Sequence, residues 1–152
     1  MKFTLKRVRI CTHERRRTAM TVEYSFIEEG LVWVKISDTV TFAQMVAYLE
    51  SLSADARYRS PMNKLVDFRK CRDYALTREE AEKFARLNRE LSSVFTNEKC
   101  AMVAPGDLEY GMSRVHEMYT TGSGLDIAVF RQLKDALTWL GIEADPFMMD
   151  GD

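Results

Sequence analysis

From Val22 onward the apolar residues repeat every two positions, then every three or four, and the two periods keep alternating. A chain patterned this way is committed to strands interleaved with helices. Val22, Tyr24 and Phe26 alternate with Glu23 and Ser25, which is strand spacing. Glu29-Gly30 supplies a turn, and Leu31 to Ser37 (LVWVKIS) reads as a second strand paired to the first as an antiparallel hairpin. Thr41 with Gln44 three residues on is a capping box, and Phe42, Met45, Val46, Leu49 and Leu52 then share one helical face. Pro61 precedes a third strand, Lys64 to Phe68. A second capping box, Thr77 with Glu80, opens a helix whose apolar face is Ala81, Phe84, Leu87, Leu91 and Val94.

The second half repeats the rhythm. Cys100 to Ala104 is short and wholly apolar, as in a strand buried on both faces. Asp107 is placed to cap a helix carrying Leu108, Met112, Val115 and Tyr119, and Gly122 and Gly124 end it. Asp126 to Phe130 is the fifth strand. The last helix carries Leu133, Ala136, Leu137 and Leu140 and stops at Gly141, a residue suited to the left-handed position after a helix. The order is β-β-α-β-α-β-α-β-α. It predicts an α/β fold with a mixed, mostly parallel five-stranded sheet, an N-terminal antiparallel hairpin and four helices.

Length and charge set the organisation. The 152 residues, 46% hydrophobic and 30% charged, suit one domain with a buried core. The net charge of −1 hides a split. Residues 1–19 carry seven basic residues and one acid, which leaves 15 basic against 22 acidic residues over 20–152. The expected division is a basic flexible extension (1–20), one domain (21–142) and an acidic tail (143–152). An acidic body argues against nucleic-acid binding by the folded domain, because phosphates need clustered Lys and Arg. No apolar run reaches the roughly 20 residues of a transmembrane helix, and the basic start lacks a signal-peptide core. Three cysteines, Cys11, Cys71 and Cys100, form no close pair in the sequence, and an odd count suits reduced thiols in a cytoplasm.

Known chemistries find little support. One histidine, His116, lies in the domain and no cysteine has zinc spacing, so neither a metal nor another cofactor is expected. His116 sits beside the apolar stripe of its helix and reads as a hydrogen-bonded, partly buried residue. No nucleophile elbow or phosphate-binding glycine motif is present. Cys100 reads as an inert core thiol. Cys71 lies between Lys70 and Arg72, charges that would depress its pKa, and is otherwise an exposed loop thiol. Asp67 and Arg69 share one face at the carboxyl end of the third strand, where open α/β sheets place their sites, and are expected to pair with each other or with a helix terminus. No catalytic set is found, so the chain is read as non-enzymatic.

Four stretches, GLVWVKISDTVTF (30–42), KLVDFRKC (64–71), AMVAPGDLEYGMSRVHEMY (101–119) and VFRQLKDALTWLG (129–141), resemble the SpoIIAA-like group of bacterial proteins, related to STAS domains. In signalling STAS domains the third strand leads to an Asp-Ser-Ser-Gly-like loop whose serine is phosphorylated. This chain has Asp73, Tyr74, Ala75 and Leu76 there, without the serine, and Thr77 is committed to capping. The resemblance implies a regulatory or protein-interaction module lacking the usual phosphorylatable serine. Its candidate contact residues are Arg69, Cys71, Asp73, Tyr74 and Thr77, and its partner is another protein or a second copy. The fold is also compared with Sec14-type lipid-binding domains. That implies the alternative, a carrier or sensor of a small apolar, lipid-like ligand between the sheet and the helices of residues 77–95 and 107–121.

Overall fold

The computed structural model describes residues 6–9, 21–27, 30–91, 95 and 97–143. Six strands form one sheet in sequence order: β1 (Lys6–Arg9), β2 (Val22–Ile27), β3 (Leu31–Val40), β4 (Asn63–Tyr74), β5 (Glu98–Val103) and β6 (Leu125–Phe130). β1 to β3 pair antiparallel and β3 to β6 parallel. The helices are α1 (Phe42–Ala54), α2 (Arg78–Glu90), α3 (Asp107–Thr120) and α4 (Leu133–Leu140). The five expected strands, the opening hairpin and the four helices are all present.

The sixth strand is an addition. Lys6–Arg9, inside the segment read as a flexible extension, pairs with Glu23–Phe26. Its sequence, KRVR, hides strand periodicity beneath basic residues, which are common on sheet edges. The rest of residues 1–20, with Cys11, the turn residue Glu29, the helix-face residue Val94 and residues 144–152 of the tail lie outside the described residues.

Both capping boxes form. Thr41 accepts from the Gln44 N–H at 3.3 Å and Gln44 accepts from the Thr41 N–H at 2.9 Å. α4 ends at Gly141, whose φ of 77° is left-handed. Asp107, expected to cap α3, does not. Gly106 is the cap, with no side-chain hydrogen bond, and Asp107 is the first helical residue, paired to Arg131 at 2.8 Å. One face of the sheet is covered by α1, α2 and α3 and the other by α4, giving two apolar clusters. β5 feeds both, with Cys100 and Met102 on one side and Ala101 and Val103 on the other. On α3 the buried residues are Ser113, Val115, His116 and Thr120, and Leu108 is 53% exposed. Of the expected stripe of Leu108, Met112, Val115 and Tyr119, Val115 alone is fully buried, and Arg86 of α2 stacks over the Tyr119 ring.

Candidate functional site

β4 outruns its neighbour. β5 pairs with Lys64 to Asp67, so beyond Asp67 the strand continues beside β3 alone among the described residues. Its partners there are Ser37 for Lys70, Asp38 for Cys71, Thr39 for Asp73 and Val40 for Tyr74. The register slips twice. β4 advances from Asp67 to Lys70 while β3 advances only from Lys35 to Ser37, and from Cys71 to Asp73 while β3 steps only from Asp38 to Thr39. Each slip is a bulge that adds one residue to β4 and reverses which face the following side chains meet. Phe68, Cys71 and Tyr74 therefore all pack on the same apolar cluster although they are three residues apart. Lys70, Arg72 and Asp73 are left exposed. Asp38, at the second slip, has a φ of 55° and sits 3.9 Å from the Arg72 guanidinium.

The stretch read as a loop is thus a two-stranded ribbon, and its candidate residues divide. Arg69 holds Asp67 through its Nε and Nη2, each at 2.9 Å, and through its own N–H at 3.0 Å. Asp67 also accepts from the Trp33 indole at 3.2 Å. This pair anchors the base of the ribbon, the structural reading given above. Cys71 is half-buried, and burial, then the nearby Glu109 carboxylate, pushes its thiol up to about 11. The flanking Lys70 and Arg72 do not lower it, since both point into solvent. Tyr74 is half-buried with its ring 6.1 Å from Phe68, and burial raises its phenol. Asp73 is exposed. Thr77 is held as a cap, accepting from the Glu80 N–H at 3.1 Å while its own N–H reaches Glu80 at 3.0 Å.

His116 is buried, stacks on Phe84 at 5.2 Å, and has its Nε2 3.1 Å from the Asn88 amide nitrogen. Burial pushes it down to about 4, which keeps it neutral near pH 7. Among the described residues no three metal-ligating side chains cluster, and no helix is long and apolar enough to cross a membrane. A cavity of about 20 Å³ lies between the sheet and α1, α2 and α3, against Phe68, Tyr74, Phe84 and His116. It has room for about one water, far below the ~300 Å³ of a small-ligand site.

The strongest polar cluster escaped the sequence reading. Lys64 and Glu98 form a buried ion pair at the opposite, amino end of the parallel strands. Glu98 also accepts from the Tyr58 hydroxyl, from Ser60 Oγ at 2.8 Å and from the Met62 N–H at 3.0 Å. Lys64 lies 4.2 Å from the centre of the Phe95 ring. The cluster clamps the α1–β4 connection onto β5. Its trace in the sequence is charge at the head of each apolar run, Lys64 before one and Glu98-Lys99 before the other.

No family model matches the chain, and no curated protein matches its sequence. A crystal structure does: an uncharacterized protein from the DUF3478 family with a SpoIIAA-like fold, from Shewanella loihica PV-4. It aligns over 92% of this chain and 98% of its own, with a TM-score of 0.50 and 19% sequence identity. This chain has a SpoIIAA-like fold. Within that SpoIIAA-like fold, the likeness concerns the path of the chain. The doubly bulged β4 and the locked Thr77 are features of these residues.

Proposed function

We propose that the protein is a non-enzymatic interaction module that meets a partner protein through the ribbon at the carboxyl end of β4. The observation that carries this reading is the division made by the two bulges. Phe68, Cys71 and Tyr74 brace the ribbon from below, while Lys70, Arg72 and Asp73 stand in solvent as a compact mixed-charge surface. Steered polar contacts of this kind set partner choice and orientation. Arg69, Tyr74 and Thr77 shape the surface instead of touching the partner. The Thr77 hydroxyl already serves the α2 cap, so the module works without a hydroxyl switch at that position. The carrier reading finds little support, because the cavity between sheet and helices is about 20 Å³.

Native mass spectrometry of the protein purified from its own host tests this. The expected result is a stoichiometric protein complex that is lost in a Lys70→Glu/Arg72→Glu variant of unchanged melting temperature. A retained apolar small molecule and no protein would overturn the reading in favour of a carrier.

A further inference from the structure

The edge of the sheet opposite β1 offers a second, independent surface. β6 is bonded to β5 alone among the described residues. Gly124 O accepts from the Asn97 N–H and Phe130 O from the Ala104 N–H, both at the β5 side. Backbone groups alternate along a strand, so those of residues 124, 126, 128 and 130 face β5 and those of Leu125, Ile127 and Val129 face outward. An apolar strand with an open row of donors and acceptors is a template for pairing. β6 carries one charge, Asp126, in LDIAVF. A groove of about 580 Å³ opens against its amino half, bordered by Leu125, Asp126 and Ile127 of the strand region and Glu117 of α3.

We propose that β6 joins two copies of this chain, extending both sheets antiparallel about a two-fold axis at Ile127. In that register Leu125 pairs with Val129 of the second copy, Ile127 with its counterpart and Val129 with Leu125. All the outward backbone groups of these three residues are then satisfied. Asp126 falls opposite Ala128, so the two carboxylates do not face each other. The side chains of Leu125, Ile127 and Val129 lie on the α3 face of the sheet, so the two α3 helices run side by side above the joint.

The flank of α3 decides the occupant. Ser113, His116 and Thr120 are buried. His116 and Tyr119 turn toward α2 through Asn88 and Arg86. Helical spacing then puts Arg114 and Glu117 on the flank away from α2, above the free edge. Their side chains are 58% and 31% exposed and, among the described residues, pair with each other within the helix at 3.3 Å. One cation and one anion a turn apart are self-complementary about a two-fold axis, so Arg114 of each copy meets Glu117 of the other. This matches a second copy of the chain without recourse to any other partner.

Sedimentation equilibrium of the full chain tests the proposal, at concentrations up to about 100 µM, well above a micromolar dissociation constant. The wild type should be a dimer. Arg114→Glu should weaken it by about tenfold or more, since it sets like charges across the joint, and Arg114→Glu/Glu117→Arg should restore it. Hydrogen exchange supplies the second readout: the amides of Ile127 and Val129 should slow as concentration rises, in the wild type and the double swap only. A chain that stays monomeric overturns the proposal, whatever protein is later found on this edge. So does a dimer indifferent to Arg114→Glu, or one whose Ile127 and Val129 amides exchange at the same rate at every concentration.

Discussion

Replacing Glu98 by alanine removes the acceptor at the centre of the clamp. Lys64 then keeps a side chain that is 4% exposed and loses the one carboxylate it pairs with among the described residues. Tyr58, Ser60 and the Met62 N–H lose the oxygen they donate to. Removing one member of a buried pair costs about 3–5 kcal/mol, because the other charge stays desolvated and uncompensated. Ser60 is exposed and recovers its bond from water, so the estimate stays within that range. For a domain of this size the melting temperature should fall by roughly 6–20 °C. Urea denaturation of Glu98→Ala, of Lys64→Met and of Lys64→Met/Glu98→Leu completes the test. The double variant has no orphaned charge and should lose less than either single variant, retaining a deficit of about 1–3 kcal/mol from the abandoned Tyr58 and Met62 donors. If each single variant cost less than about 1 kcal/mol, or the two losses simply added, the clamp would behave as a solvated surface pair and the reasoning would fail.

His116 is held down to about 4 against an ordinary 6.5, so the unfolded chain takes up its proton first as pH falls. Stability should be full above about pH 6.5 and drop by roughly 3 kcal/mol by pH 4, in excess of a His116→Phe control, as read by urea midpoints across that range. Thr77→Ala should cost about 1 kcal/mol in thermal unfolding and Thr77→Asp almost nothing, because aspartate also caps and favours the helix start. Tyr74→Ala should cost about 2 kcal/mol by chemical denaturation, less than a fully buried aromatic, as Tyr74 is only partly buried against the core. Cys71 should react with iodoacetamide at pH 8 more slowly than a free thiol, since burial pushes it to about 11.

The fold was readable where local chemistry and periodicity agreed. Thr41 with Gln44 and Thr77 with Glu80 announce their helices through contacts between residues three apart, and both boxes form. Gly141 ends α4 in the expected left-handed conformation. β1 was missed because KRVR shows its charges and not its pairing, which depends on β2 across a long connection. The site was less legible, because the bulges break the period of two that a sequence pattern relies on. With Phe68, Cys71 and Tyr74 three apart, β4 read as ending at Phe68 and the rest as loop. Lys64 and Glu98 were invisible for a related reason: each looks like a strand-end charge bound for solvent, and only the register that sets Lys64 beside Cys100 brings them together. Asp107 had the right residue type for a cap, yet the cap falls one residue earlier, on Gly106, and the Asp107 carboxylate pairs with Arg131.

Site-specific photocrosslinking in the native host tests the central claim most directly. A benzophenone side chain is placed in turn at Lys70, at Arg72, whose side chain is 82% exposed, and at Lys134 on the exposed side of α4 as a control. One discrete heavier adduct is expected from positions 70 and 72, the same protein in both, and none from position 134. Adducts from position 134 with none from the ribbon would contradict the claim and move the contact surface to the other side of the sheet.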